Sequence, residues 1–160
     1  TTEVADDEVL SGTNKLGATY NTAPKTDLDN WVCVNQYPTG YTGVYGSMPI
    51  SVTYQYRRKD AGDVTVYYYE QGSTNQVKTA LVLPGAGKYG LPYTTTAPDI
   101  DNFVPVGATP ANANGNFGTS PINIAYYYKR LDAGDITVHH YKQGSTEELA
   151  PDEVISGEAK

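Results

Sequence analysis

The amino-acid sequence predicts a mainly β protein built from small modules in tandem, with little or no helix. Three features of its 160 residues support this fold class: short segments in which apolar and polar residues alternate, the lack of a 3.6-residue apolar pattern, and a long internal repeat. A period of two residues indicates strands, and a repeat of several tens of residues indicates an array of similar units.

The internal repeat has a period of 72 residues, since the segment DAGDVTVYYYEQGST that begins at Asp60 returns as DAGDITVHHYKQGST at Asp132. Further segments match at this spacing, or at 73 residues after a one-residue insertion or deletion. Because the period exceeds that of most solenoid units, it favours small globular modules in series. The matching ranges are 60–74 with 132–146, 27–32 with 99–104, 11–20 with 84–93, and 4–15 with 149–160.

These matches divide the chain into three copies. Copy A, residues 1–61, lacks its opening strand; copy B, residues 62–133, is complete; copy C, residues 134–160, contains only opening strands. A sheet without its first strand exposes an edge that can recruit another strand. We expect copy A to be completed by 134–142 of the same chain or of a partner chain, which would be strand exchange, or alternatively by 62–74.

The most regular strands are expected on either side of each junction between copies. Three shorter strands are expected between them, giving five per module, and the segment KYGLPYTTT is expected to form one helical turn. Tyr127 aligns with Gln55 and is therefore expected to be solvated. The apolar faces of the regular strands consist of Val64, Val66 and Tyr68; of Ile50, Val52, Tyr54 and Tyr56; and of Ile122, Ile124, Tyr126 and Tyr128.

Charge and composition exclude several classes of function. The formal net charge is −7, and basic residues gather only in YRRK and YKR, so nucleic acid and anionic membrane surfaces are not expected partners. No apolar run reaches the ~18 residues of a membrane-spanning helix, so membrane insertion is not expected. Cys33 is the only cysteine, which rules out an internal disulfide.

Two Asp-rich segments and a His pair are the candidates for metal binding. Carboxylates at alternate positions can hold calcium, but neither DLDN nor DIDN is followed by the Gly and Glu of an EF-hand loop. Turns that enter a strand are the favoured interpretation. His139 and His140 are adjacent in a strand and therefore point to opposite faces, so we expect neither a metal nor another cofactor. The candidate carboxylates are Asp27, Asp29, Asp99 and Asp101.

No arrangement of nucleophile, base and oxyanion donors indicates an enzyme. Cys33 aligns with Pro105, which places it at an edge or in a loop, and its copy contains no histidine that could activate the thiol. A Lys–Asn isopeptide cross-link forms beside a buried acid. Lys88 and Asn123 with Asp99 as the acid could be considered, but no sequence feature selects them. The expected role is therefore binding or structure rather than catalysis.

The repeated segments resemble the MucBP (mucin-binding protein) repeat. Copy B contains VTVYYYEQG, LPGAGKYGLPYTTT, GNFG and, across the second junction, INIAYYYKRLDAGDITV; copy A contains LSGTNKLGATYNT, GVYG and VTYQYRRKDAGDVTV. The resemblance covers essentially the whole chain, with a departure at DIDNFV, where the family usually has a Gly-Tyr turn. It implies small β-grasp-like (ubiquitin-like) modules arranged end to end in the stalks of extracellular, cell-wall-anchored proteins of Gram-positive bacteria. It also implies mucin or host glycans as partners.

Exposed aromatic residues are the candidates for glycan binding, since sugar faces stack on rings and neighbouring amides bind hydroxyls. The loop NQYPTGYTGVYG of copy A supplies Tyr37 and Tyr41 together with Asn35 and Gln36, and the solvated Tyr127 is a further candidate. An acidic protein repels sialylated or sulfated glycans, with screening beyond ~8 Å at physiological salt. Binding through this surface is therefore expected to be weak.

The sequence thus predicts a tandem repeat of a surface adhesin that acts as a stalk or spacer, with weak multivalent binding to mucin or host glycans. One alternative is a dedicated glycan-binding module that uses Tyr-rich loops. The other is a purely structural spacer without a ligand.

Overall fold

The computed structural model describes residues 2–158, and every regular element in that range is a β-strand. The predicted fold class, mainly β modules in tandem, is therefore confirmed. None of the described residues belongs to a helix long and apolar enough to cross a membrane. The strands are β1 Thr19–Asn21, β2 Trp31–Cys33, β3 Thr42–Val44, β4 Tyr56–Arg58, β5 Val64–Glu70, β6 Gln76–Leu83, β7 Pro92–Thr94, β8 Phe103–Val106, β9 Asn114–Asn116, β10 Ile122–Arg130, β11 Ile136–Tyr141 and β12 Glu148–Ile155.

The described residues pack into two compact units. Unit 1 contains copy A, the first junction and two loops of copy B, and it includes the β1–β3 and β2–β4 pairs. Unit 2 contains the main sheet of copy B and the β11–β12 hairpin of copy C. Unit 1 runs through Val64 and adds Leu83–Tyr93 and Asn116–Ile122, and unit 2 consists of Thr65–Val82, Thr94–Gly115 and the residues from Asn123 onward.

The main sheet of copy B has the strand order β6-β5-β10-β8. Its two central strands run parallel, since Ile122 N donates to Asp63 O at 2.9 Å and Gln71 N donates to Tyr128 O at 2.8 Å. β8 lies antiparallel to β10 on the other side. A central parallel pair formed by the first and last strands of a module is the β-grasp arrangement that the family resemblance implied.

Alternation along β10 builds the core of this sheet, as predicted. Tyr126 and Tyr128 are buried, whereas Tyr127 between them is 47% exposed. Both buried hydroxyls are satisfied: Tyr126 Oη lies 3.0 Å from Thr95 Oγ1, and Tyr128 Oη donates to Pro98 O at 2.9 Å. Burial of a large side chain stabilises a fold by roughly 1.5–3 kcal/mol, and the hydroxyl bonds avoid the ~1–3 kcal/mol cost of an unpaired polar group.

In copy A, the segment equivalent to the first half of β10 is not a strand. β4 contains only Tyr56–Arg58, so the strand predicted from residue 50 is wrong in its extent. Val52 and Tyr54 are half-buried and their neighbours exposed, so the predicted alternation is present from Val52 onward, whereas Ile50, predicted on the same face, is exposed. A strand also requires a hydrogen-bonded neighbour, and no described strand pairs along residues 50–55.

The segment KYGLPYTTT forms a turn and a strand rather than the predicted helical turn. β7 begins at Pro92 and is preceded by two turns that contain Gly87 and Gly90, with φ of +67° and +77°. These left-handed conformations suit glycine and end any right-handed helix. β7 raises the number of strands in copy B to six instead of the expected five.

Copy C begins with a hairpin that resembles the opening hairpin of copy B. β11 pairs antiparallel with β12, and the connecting turn contains Gly144 with φ of +77°, as Gly72 has φ of +76° between β5 and β6. β5 has β6 on one side and β10 on the other, so both of its edges are occupied within copy B.

Candidate functional site

The same side-chain contacts occur twice, one repeat apart. Thr22 Oγ1 lies 2.8 Å from Tyr54 Oη in copy A, and Thr95 Oγ1 lies 3.0 Å from Tyr126 Oη in copy B. Such recurrence shows that copies A and B use one set of packing contacts. Further equivalent pairs are Trp31–Arg58 at 4.8 Å with Phe103–Arg130 at 4.9 Å, and Tyr20–Tyr45 at 5.4 Å with Tyr93–Phe117 at 5.5 Å.

At the first junction, the linker DAGD is hydrogen-bonded to the turn that follows β6. Asp63 Oδ1 accepts from Gly85 N at 2.8 Å, and Ala61 N donates to Gly85 O at 2.9 Å. Asp60 Oδ1 accepts from Gly87 N at 2.9 Å. Gly85 is buried, and a Cβ at this position would overlap with Ala61 O. The linker therefore lies directly against a turn that only glycine can form.

Basic side chains from the end of β4 extend this junction. The Arg58 guanidinium lies 4.8 Å from the Trp31 ring centroid, and its Nη1 donates to Tyr89 O at 3.1 Å. Tyr89 N donates to Lys59 O at 3.1 Å, and Lys59 Nζ donates to Asp29 O at 2.6 Å. The backbone of Tyr89, in copy B, is thus bonded through both of its polar groups to copy A.

The second junction repeats the bonds of the first. Ala133 N donates to Gly157 O at 2.7 Å, and Gly157 N donates to Asp135 Oδ1 at 2.8 Å. A Cβ at Gly157 would overlap with Ala133 O, as one at Gly85 would with Ala61 O. The linker DAGD and the glycine turn that follows it therefore form a recurring structural unit.

The charge of Asp60 is stabilised within the first junction. The Gly87 N–H and then the Arg57 guanidinium lower the pKa of the Asp60 carboxyl below its usual value. Arg57 Nη1 lies 2.9 Å from Asp60 Oδ1, but both side chains are more than half exposed, so solvent weakens this ion pair. The ionised form of Asp60 is the one that accepts the bond from the turn.

The structure brings two of the glycan candidates together and gives a third another partner. The Tyr37 and Tyr41 rings are in edge contact at 5.3 Å, and Tyr37 is 75% exposed. Asn35 Nδ2 donates to Thr53 O at 3.0 Å, and Asn35 Oδ1 accepts from Gln55 N. The Asn35 amide thus bonds to the backbone of 53–55 just beyond the 2.8 Å bond from Val34 N to Gln55 O that extends the β2–β4 pair, so its polar atoms are committed to the backbone.

The remaining ring of this loop, Tyr45, packs inward, whereas Gln36 is exposed beside Tyr37. Tyr45 contacts Tyr20 and occupies the position that the buried Phe117 has in copy B. The exposed candidates of the loop are therefore Tyr37 and Gln36, and Tyr41 is half-buried beside Tyr37.

The solvated face of the copy B sheet carries three tyrosines, of which only Tyr127 was predicted as a glycan candidate. The Tyr67 and Tyr69 rings are stacked at 5.8 Å with an interplanar angle of 12°, and the Tyr69 and Tyr127 rings are 6.3 Å apart. The alternation of β5 already placed Tyr67 and Tyr69 on one face. Their position next to Tyr127 depended on the pairing of β5 with β10, which no local pattern specifies.

A cleft of about 430 Å³ opens beside Tyr127 at the edge of the same sheet. It is lined by residues 95–97, 105–109 and 125–127. β8 ends at Val106, opposite Tyr127, so the part of β10 before Tyr127 has no strand on this side.

The Asp-rich segments form turns at the start of β2 and β8. Asp29 and Asp101 lie in these turns, and Asn102 has φ of +65°, as expected for a tight turn that enters a strand. Asp27 and Asp99 are exposed. Among residues 2–158, no group of three or more His, Cys, Asp or Glu side chains is placed to hold a metal ion.

The other reactive side chains have ordinary structural partners. Cys33 is half-buried in β2, with its Sγ 3.8 Å from Asn35 Oδ1. His139 Nδ1 lies 2.7 Å from Asp152 Oδ1 on the neighbouring strand. The acid suggested for an isopeptide cross-link, Asp99, is exposed, whereas such chemistry depends on a buried acid.

Burial raises the pKa of two tyrosines in the core of copy B. Burial, followed by the charges that Tyr68 and Tyr126 would carry, raises the pKa of Tyr128 to about 12. Burial likewise raises the pKa of Tyr68. The folded sheet therefore opposes ionisation of its central rings.

Small mixed sheets, contacts that recur one repeat apart, and junctions closed by the same linker define a tandem-repeat protein of small β modules. The MucBP domain model matches residues 1–57 and 63–129. These two matches cover most of the chain, which therefore belongs to the MucBP domain family.

Two curated proteins are similar to nearly the whole chain. Internalin J of Listeria monocytogenes serotype 4b (strain F2365) is 31% identical over 158 residues, which are 96% of this chain and 16% of that protein. Internalin J of Listeria monocytogenes serovar 1/2a (strain ATCC BAA-679 / EGD-e) is 29% identical over 154 residues, which are 94% of this chain and 17% of that protein. The chain thus spans about a sixth of the length of these relatives.

Proposed function

We propose that this chain is a repeat segment of a bacterial surface adhesin that acts as a stiff spacer and adds weak, multivalent binding to mucin or host glycans. Membership of the MucBP domain family and similarity to internalin J support this class. The proposal includes an extracellular location in a wall-anchored parent protein. It also includes the division into modules at 1–61, 62–133 and 134–160.

The closed junction is the observation that carries the spacer role. A free linker of about five residues would let neighbouring modules pivot. Here Ala61 is bonded to Gly85, and both carboxylates of the linker accept backbone N–H groups of the next turn. A linker fixed by bonds at each repeat keeps the distal end of an array at a constant distance from its anchor.

Backbone ¹⁵N relaxation tests this stiffness. We expect order parameters of about 0.85 for Ala61, Gly62 and Asp63, the value of rigid backbone. The turn after Gly72 serves as an internal reference for an exposed loop. Values below ~0.6 across the linker, with rigid strands on both sides, would contradict the spacer role.

Weak multivalent binding is the second part of the proposal. The neighbouring rings of Tyr37 and Tyr41 and the exposed Tyr127 offer stacking surfaces. The net charge of −7 opposes tight binding of acidic glycans. Many weak sites on one array gain affinity through effective concentration.

A surface coated with mucin tests the binding role. We expect tandem concatemers of the chain to be retained much more strongly than single copies. Equal and negligible retention of both forms would instead favour a spacer without a ligand.

Strand exchange between molecules remains part of the proposal. Residues 50–55 have the alternation of a strand but no paired strand among the described residues. We expect a fraction of dimers or larger species at high concentration by size exclusion with light scattering. A strictly monomeric chain over the accessible concentrations would contradict exchange.

A further inference from the structure

Copies A and B differ at one place on the sheet edge. In copy A, the Asn35 amide donates to Thr53 O at 3.0 Å and accepts from Gln55 N. In copy B, the residue one repeat later is Gly107, which has no side chain and has φ of +82°. Gly107 is one of the residues that line the cleft of about 430 Å³ at this edge. Copy B is therefore open at the position that copy A fills with its own amide.

The backbone of Ala125 forms the base of this opening. β10 directs the N–H and C=O of alternate residues, beginning with Ile122, toward β5. Asn123, Ala125 and Tyr127 therefore direct theirs toward the opposite edge. β8 pairs only from Tyr127 onward, and Asn123 O accepts from Asn112 Nδ2 at 3.0 Å. Within residues 2–158, Ala125 is left without a bonded neighbour on this side.

A second difference adds an aromatic wall to the same place. Gln55 of copy A is replaced in copy B by Tyr127, which lines the cleft and is 47% exposed. Tyr69 supports the ring of Tyr127 from the neighbouring strand at 6.3 Å. Gly107 leaves the edge without the amide that Asn35 supplies in copy A, and Tyr127 adds a ring on which a ligand can stack. Both differences favour ligand binding in copy B over copy A.

We propose that this cleft binds the acetamido group of an N-acetylhexosamine, an inference that rests on the proposed glycan-binding role and gives it a site. The acetamido N–H donates to Ala125 O, its carbonyl accepts from the hydroxyl of Thr96 or Thr109, and the sugar ring stacks on Tyr127. An amide is the group that copy A itself places against this edge. A neutral amino sugar also avoids the repulsion that a protein of net charge −7 exerts on acidic sugars.

A titration of ¹⁵N-labelled chain with the methyl glycoside of N-acetylglucosamine tests the site. We expect progressive shifts of the Ala125 and Gly107 amides, with a dissociation constant on the order of 1 mM. Methyl glucoside, which lacks the acetamido group, should bind at least about tenfold more weakly. The equivalent amides of copy A, at Thr53 and Asn35, should not move.

Substitutions exchange the two copies at this edge. Gly107→Asn places an amide at this edge, although at a positive φ that Asn35 does not have. Asn tolerates positive φ better than most residues, and an added Cβ meets no atom within 4 Å. This substitution should weaken the sugar at least about tenfold, as should Tyr127→Gln, which imports the residue of copy A. The converse pair, Asn35→Gly with Gln55→Tyr, should create sugar-dependent shifts at Thr53.

Four outcomes would overturn this site: no shift at Ala125, equal response to methyl glucoside, unchanged binding in both single variants, or shifts at Ala125 caused by an extended peptide but not by the sugar. The last outcome would assign the edge to strand addition instead. If mucin still retains concatemers of Gly107→Asn as well as those of the unmodified chain, this site is refuted while the proposed function is not. If mucin retains neither kind of concatemer but the N-acetylglucosamine glycoside still shifts the Ala125 amide, the proposed function fails and the site remains.

Discussion

Replacement of Gly85 by alanine should open the first junction. A Cβ at Gly85 would overlap with Ala61 O, so the linker has to move away from the turn. The two bonds that Gly85 makes to the linker, with Ala61 N and Asp63 Oδ1, would then be lost. At about 0.5–1.5 kcal/mol net for each bond, the expected loss is about 1–3 kcal/mol. Reduced freedom of the unfolded chain returns about 0.4–1 kcal/mol of this.

Thermal unfolding and amide exchange measure this effect. A loss of 1 kcal/mol corresponds to a fall of about 2–4 °C in Tm for a chain of this size. Exchange of the Ala61 and Gly87 amides should accelerate together, because both bonds depend on the closed linker. Gly118→Ala is a matched control, since an added Cβ there meets no atom within 4 Å; it should stay within about 0.5 kcal/mol of the unmodified protein.

A Gly85→Ala variant with the Tm and exchange rates of the control would refute the reasoning. The linker would then tolerate a side chain where the structure shows contact with backbone. A lower Tm with unchanged exchange at Ala61 would also count against it, because the destabilisation would then arise outside the junction.

Three further perturbations probe the junction and the core. The pKa of Asp60 is lowered in the folded protein, so its bond to Gly87 should be complete above the unfolded-state pKa of about 3.9. The bond should be lost as pH falls through the lower folded-state pKa. The chemical shift of the Gly87 amide should follow this change, and Asp60→Asn should abolish the pH dependence. Burial raises the pKa of Tyr128 from 10.0 to about 12, so the protein should keep its stability up to about pH 10. Its free energy of unfolding should fall by about 2–3 kcal/mol as pH rises toward 12. A denaturant midpoint that does not change across this range, or the same fall in Tyr128→Phe, would contradict this. Arg58→Ala removes the cation over Trp31, the single tryptophan of the chain. The tryptophan fluorescence emission should therefore change, and the stability should fall by about 0.5–1 kcal/mol. Unaltered emission would argue against the contact.

Local sequence patterns predicted the central strands of the main sheet, where neighbouring strands exist on both sides. The alternation around Tyr127 gave its faces correctly because β5 and β8 flank β10. The same pattern at Val52 and Tyr54 did not produce a strand, because regular strand structure depends on a partner that the segment itself cannot supply. The turn at Gly90 was missed for a different reason: KYGLPYTTT has a composition compatible with either a helical turn or a strand, and the left-handed glycine decides between them.

The features of the site that the sequence did not predict depend on residues that are far apart in the chain. Asn35 was selected as a sugar ligand from its loop composition, but its amide is bonded to Thr53 and Gln55 across the sheet edge. A linker as short as DAGD limits hinge motion by its length alone. Its bonds to Gly85 involve a turn on the far side of a hairpin, which no linker composition can indicate.

The two copies separate structural positions from positions free to change. The junction bonds made by Asp63 return with Asp135, so any following repeat with a glycine turn can be joined in the same way. At the sheet edge, by contrast, Asn35 of copy A corresponds to Gly107 of copy B, and Gln55 corresponds to Tyr127. The exchange leaves the core rings and the linker in place. The side chains at this sheet edge can therefore differ from one repeat to the next, because the bonds of the junction lie elsewhere.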